Sequence, residues 1–124
     1  MDTHKVIVFT GHRDKITTDL ELAHILFGFP DHIWRHGGAK GFDTQVSMFA
    51  SLNGIEQQVF RPDYEHFGKK FAPLKRNMDM LNLGDVELVV ACYDGRDHGG
   101  TLFTMQYAYK CNIEVLIVEA IGGT

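Results

Sequence analysis

His36-Gly37-Gly38-Ala39-Lys40-Gly41-Phe42-Asp43 follows a short apolar run, Ile33-Trp34, and opens into a helical pattern. Glycine at three of the five positions from 37 to 41 lets the backbone turn tightly and keeps side chains away from the amides. A helix that begins just after such a turn offers unpaired N–H groups and the positive end of its dipole. Strand, glycine turn and helix together predict an anion site, with phosphate as the usual occupant. A tight turn without a ligand is the alternative, since glycine turns are common.

The same alternation extends to both sides of this turn. Upstream, Lys5-Val6-Ile7-Val8-Phe9 is a continuous run of β-formers, as in a strand buried on both faces. Thr10-Gly11-His12-Arg13 ends it with a glycine turn. Thr18 is placed to cap a helix over Leu20, Leu22, Ala23, Leu26 and Phe27, which Phe29-Pro30 breaks. Ile33 to Arg35 form the second strand. Downstream, Val46, Phe49, Ala50 and Asn53 fall at helical spacing from Asp43, and Asn53-Gly54 ends that helix. Ile55 to Phe60 predict a third strand, and Arg61-Pro62-Asp63-Tyr64 to Lys70 a loop. Pro73 suits the first turn of a helix whose face is Phe71, Leu74, Met78 and Leu81, with Gly84 at its end. Val86 to Ala91 form a fourth strand, and Asp94 to Thr101 a third glycine-rich loop. A helix over Leu102 to Lys110, a fifth strand over Ile113 to Val118 and a tail, Gly122-Gly123-Thr124, complete the chain.

Strand and helix in strict alternation predict a Rossmann-like three-layer α/β/α fold with a five-stranded, mainly parallel sheet in a single domain. Ligands of such sheets sit beyond the carboxyl ends of the strands, at the switch point. The loops after the first, second and fourth strands meet at that end, and they are the glycine-rich ones: Gly11, Gly37 to Gly41, and Gly99-Gly100.

The composition fits this reading. The chain has 124 residues, 44% apolar and 23% charged, enough to bury a core without disulfide or metal staples. No apolar run is long enough to span a bilayer. Met1-Asp2-Thr3-His4-Lys5 lacks the pattern of a signal peptide. Cys92 and Cys111 are too few for a disulfide framework and are expected as buried, reduced thiols. A soluble, cytoplasmic protein is the expectation. The net charge of −4 argues against a general nucleic-acid binder, although Lys69, Lys70, Lys75 and Arg76 could form a local basic patch.

On this topology the candidate ligand-binding residues are Gly11, His12, Arg13, His36, Gly37, Gly38, Gly41, Asp43, Arg61, Arg76, Asn77, Asp94, Gly99, Gly100 and Thr101. Gly99, Gly100 and Thr101 form a second anion nest at a helix start. Asp43 either accepts from a ribose hydroxyl pair or caps its own helix. Arg13 and Arg61 point toward the rim. His12 and His36 hydrogen-bond the loops or a ligand. With His98 and the aspartates they suggest a metal, but no ligand-spaced pair supports one, and no metal or cofactor is expected. Tyr64, Phe67 and Tyr93 could stack on a base or pack under a loop. Cys92 has no base partner and is expected to be inert.

These segments resemble the SLOG superfamily of DprA-like and LOG-like Rossmannoid proteins, and among them the small YspA-like members. The resemblance rests on Thr10 to Arg13, His36 to Asp43, Arg61 to Tyr64, Arg76-Asn77-Met78-Asp79-Met80-Leu81, and Asp94-Gly95 to Gly99-Gly100-Thr101, in order over nearly the whole chain. It implies glycine loops that bind nucleotides or nucleotide-derived ligands, with Arg76 as a phosphate clamp in place of a solvated surface arginine. LOG-like phosphoribohydrolases carry a glutamate three residues after the matching threonine, where this chain has Thr104. A hydroxyl does not supply the carboxylate that N-glycosidic hydrolysis uses.

Three functions follow, in this order: a binder or sensor of a nucleotide-derived ligand such as ADP-ribose; an N-glycosidase or phosphoribohydrolase on a nucleoside monophosphate; and, by analogy with DprA, a single-stranded nucleic-acid module. The expected partner is a phosphate-bearing small molecule, with no membrane partner, nucleic acid ranked last, and a homodimer as a further possibility.

Overall fold

The computed structural model describes residues 5–122, so the reading of Met1 to His4 and of Gly123-Thr124 lies outside the described residues. The elements run β1 (Val6–Gly11), β2 (Lys15–Ile16), α1 (Asp19–Gly28), β3 (Ile33–His36), α2 (Phe42–Leu52), β4 (Gln57–Val59), α3 (Tyr64–Leu81), β5 (Val86–Cys92), α4 (Gly100–Lys110), β6 (Glu114–Val118) and β7 (Ile121–Gly122). Five strands form one sheet in the order β4-β3-β1-β5-β6, and every pairing in it is parallel. The expected three-layer Rossmann-like fold is therefore present.

Its layers follow from side-chain alternation along buried strands. Ile7, Phe9, Trp34, Leu88 and Val90 face α1 and α2, where Leu22, Ile25, Phe42, Val46 and Ala50 cover them. Val6, Val8, Val86 and Val89 face α3 and α4, against Met80, Leu81 and Ala108. Val86 and Val89 share a face although they are three apart. Val6 pairs with Val86 but Ile7 with Leu88, which makes Glu87 the extra residue of a bulge.

Four details depart from the sequence expectation. The tail carries a strand: Ile121 and Gly122 pair antiparallel with Ile16 and Lys15, a second small sheet beside the loop that follows β1. The stretch after Arg61 is helical from Tyr64, because Asp63 acts as N-cap and its Oδ1 accepts from the His66 amide at 3.1 Å. Gly68 interrupts that helix at φ 75°, and Pro73 lies inside the resumed part, not in its first turn. Finally, two helical faces are rotated from those read in the sequence. Leu22 and Ile25 are buried on α1 while Leu20 and Phe27 are exposed. On α3, Ala72, Asn77, Met80 and Leu81 are buried and Phe71 is exposed.

The switch point lies between β1 and β5. The chain leaves β1 toward β3 and leaves β5 toward β6, so the connections diverge and open a crevice at the carboxyl ends of the strands.

Candidate functional site

A cleft of about 830 Å³ occupies this crevice. The loop after β1 contributes Gly11, His12, Arg13 and Asp14, and the loop after β3 contributes Gly37 to Lys40. Arg61, Pro62 and Tyr64 come from the β4–α3 connection, Pro73, Arg76, Asn77 and Met80 from α3, and Arg96, Gly99, Gly100 and Thr101 from the β5–α4 loop and the first turn of α4. Asp43 at the start of α2 completes the wall. Of the fifteen candidates, His36, Gly41 and Asp94 do not line the cleft.

These three hold the wall from behind. His36 Nδ1 accepts from the Gly38 amide at 3.0 Å, and its Nε2 lies 3.0 Å from Gln57 Oε1. Gly41 is the N-cap of α2, packed against the loop after β1. Asp94 carries Arg96 on its carboxylate, and its amide meets His12 Nε2 at 3.3 Å.

The glycine turn after β3 differs from the open nest that its sequence predicts. The amides of Gly37 and Ala39 both donate to Asp43 Oδ2 at 3.2 Å, and the Gly38 amide is taken by His36. Three N–H groups expected to face a phosphate are thus satisfied within the chain. Asp43 neither caps α2 nor stands free: it folds the glycine turn back on itself. Only Oδ2 is used. Asp43 Oδ1 is buried without a hydrogen-bond partner, in a residue 7% exposed. An acceptor of this kind in a cleft wall is an exception among buried polar groups, and a ligand donor would satisfy it.

Arg76 is turned inward from α3. Its Nη1 donates to Gly37 O at 2.6 Å and to Phe60 O at 3.0 Å, and its Nε donates to Asn77 Oδ1 at 2.7 Å. A Cβ at position 37 would fall on this guanidinium, so a larger residue there would displace Arg76 from Gly37 O. Nη2 has no hydrogen-bond partner among the described residues. Asn77 therefore orients the arginine, and its Nδ2 faces Gly100.

The electrostatics divide the cleft. Arg96, which sequence reasoning missed, donates to Asp94 and reaches Asp14 at 3.2 Å, so two carboxylates absorb its charge. Its hydrogen bonds hold the Asp94 and Asp14 carboxyls below the usual range. Its position between Asp94 and Gly99 in a rim loop was the available signal. Arg13, Lys40 and Arg61 also line the cleft, form no ion pair among the described residues and leave their positive charge uncompensated. Burial, and then the nearby Arg96, lowers the His12 pKa, which favours the neutral ring.

Other sequence candidates resolve into packing. Tyr93 lies against His12 and its hydroxyl donates to Arg96 O, while Phe67 packs on Phe71 beneath Lys75. His98 is exposed beside Asp97. No group of three or more His, Cys, Asp or Glu is placed to hold a metal among the described residues. Burial pushes the Cys92 thiol up to about 12, which leaves it protonated and unreactive at neutral pH. Thr104 is fully buried and donates to Gly100 O at 2.8 Å. The Lys69–Arg76 run is not one patch, since Lys75 pairs with Asp79 and Arg76 enters the cleft.

Burial, opposed by the Ala39 amide, His36 and Arg76, raises the Asp43 pKa. A carboxyl with a raised folded pKa contributes most stability below its unfolded pKa and loses that contribution as pH rises through the folded value. Asp43→Asn keeps an acceptor for the two amides but does not ionise. Urea midpoints of the two proteins are therefore expected to favour the wild type at about pH 3.5 relative to pH 7. A difference that does not change with pH would mean that Asp43 has no shifted titration.

In comparisons with protein-family models and with curated proteins, the chain matches none.

Proposed function

We propose that this protein binds a phosphate-bearing, nucleotide-derived small molecule in the cleft, as a sensor or binding module of the SLOG kind that its motifs resemble. The observation that carries this reading is that two cleft-lining residues each keep a group unused: Asp43 Oδ1, a buried acceptor, and Arg76 Nη2, a guanidinium donor. A ribose hydroxyl pair suits the first and a phosphate oxygen the second.

The phosphate is assigned to the start of α4. Gly99 caps that helix with no side-chain acceptor, and a helix N-terminus left this way favours an anion. The unpaired charges of Arg13, Lys40 and Arg61, which also line the cleft, add attraction for the same charge. Hydrolysis by the LOG route is disfavoured, because Thr104 supplies no carboxylate, is fully buried and spends its hydroxyl on Gly100 O. Single-stranded nucleic acid is not adopted either, because the basic run is divided between an ion pair and the cleft.

A thermal-shift screen tests this reading, with millimolar AMP, CMP, cyclic mononucleotides, ADP-ribose and inorganic phosphate. Ligand at a hundred times its Kd adds about 2.7 kcal/mol. In a chain of this size that is roughly 8–13 °C of midpoint. The expected result is a shift by one nucleotide class that Arg76→Ala and Asp43→Asn each reduce at least tenfold in affinity. A flat panel, or a shift indifferent to both variants, would overturn the proposal.

A further inference from the structure

The two edges of the main sheet are treated differently. β4 is three residues long, and its Gln57 and Gln58 side chains are engaged by Ser47, Ser51, His36 and Arg35. β6 is five residues long, pairs with β5 on one side and has no strand on the other among the described residues. Leu116 and Ile117, on opposite faces of β6, are 42% and 50% exposed. No proline, lysine or bulge blunts this edge. An open edge with exposed apolar side chains is a template for another strand, and natural sheets usually block it.

The charges say what kind of strand fits. Exposed glutamates frame the apolar centre, Glu114 at its start and Glu119 just past its end. A second copy of β6 added antiparallel would bring Glu114 of each chain near Glu119 of the other, and like charges across a strand pair oppose pairing. A strand with apolar or β-branched residues at its centre and a basic residue at each end meets opposite charge at both. Glu114 and Glu119 are five residues apart, about 17 Å of extended chain, an odd spacing that alternates faces in an extended strand. A six-residue strand has the same length and the same alternation at its ends.

We propose that β6 is a docking edge for an extended peptide segment of a partner, with an apolar centre flanked by lysine or arginine, added by backbone pairing to the sheet. This surface is separate from the cleft and does not depend on what the cleft binds.

Fluorescence anisotropy of the full chain tests it, with a labelled, terminally blocked hexapeptide of alternating valine and threonine between two end lysines. Saturable binding at least tenfold tighter than that of the same peptide with end glutamates is expected. Leu116→Lys should abolish it, and Glu114→Lys with Glu119→Lys should reverse the preference, both with native thermal midpoints. Amide NMR shifts on titration should concentrate at residues 114–118. No saturable binding up to millimolar peptide, equal binding of the two peptides, or binding unaffected by Leu116→Lys would overturn the proposal. Micromolar dimerisation that Leu116→Lys removes would also overturn it, by assigning the edge to a second copy.

Discussion

Arg35→Ala is expected to destabilise the protein by about 3–5 kcal/mol, the cost of emptying a fully buried side-chain site and stranding its hydrogen-bond partners. Arg35 is 1% exposed in the centre of β3. Its two Nη groups form a bidentate pair with Asp85, at 3.0 and 2.7 Å, and Nη1 also donates to Met80 O at 2.7 Å. Nε donates to Gln58 Oε1 at 2.9 Å, and the guanidinium lies 5.0 Å from the Phe60 ring centre. One side chain thus ties β3 to β4, to the end of α3 and to the lead into β5. Truncation takes the donor from Met80 O, Gln58 Oε1 and both Asp85 carboxylate oxygens and opens a cavity of arginine size. At roughly 3–5 °C per kcal/mol the midpoint should fall by about 10–20 °C. Arg35→Met, which fills the volume but not the bonds, should recover part of that loss. Urea unfolding followed through Trp34, the sole tryptophan and fully buried, reads both variants. A loss under 1 kcal/mol for Arg35→Ala would show that water replaces the guanidinium.

Gly41→Ala is the second large effect, on the order of 2–4 kcal/mol, because strain and collision add there. Gly41 has φ 78° and ψ −122°, which side-chain-bearing residues rarely adopt. A Cβ would lie 2.5 Å from His12 O and 2.6 Å from Arg13 O, both backbone atoms that cannot rotate away. Relief requires the loop after β1 to separate from the start of α2, the contact that closes one corner of the cleft. The variant is therefore expected to lose the thermal shift of the proposed cleft ligand as well as stability. Gly54→Ala is the control, since Gly54 also has positive φ but open space around its Cβ position. It should lose only the backbone strain, about 1 kcal/mol. Equal losses in the two variants would mean that the close approach at Gly41 carries no energy.

Most of the fold was legible because its signals are local. Val6 to Phe9 and Val86 to Ala91 have no polar alternation, as strands covered on both faces require. The glycine clusters mark strand-to-helix turns. Thr18 caps α1 as its side chain predicts, accepting from the Glu21 amide at 3.2 Å. The same rule applied to Asp63 would have started α3 at Tyr64. Pro62 and the polar residues beside it read more strongly as loop. Helix α1 was placed with its face rotated because its residues are apolar nearly all round, so periodicity does not choose between Leu20 and Ile25.

The site divides along the same line. That loops from three strands meet at one rim is a property of alternating strand and helix, and the sequence alone determined it. So too were the glycines and the identity of Arg76, Asn77 and Asp43 as rim candidates. Which atoms of these residues remain unused was decided by the tertiary structure alone. Asp43 spends Oδ2 on two amides and leaves Oδ1, and Arg76 spends Nη1 and Nε and leaves Nη2. Arg96 is neutralised by its neighbour Asp94 together with Asp14, the latter 82 positions away. Hydrogen-bond partners depend on distances of a few tenths of an ångström between segments remote in sequence, and no local pattern encodes them. Residue types follow from propensity and period, whereas the donors and acceptors left over follow only from where the whole chain packs.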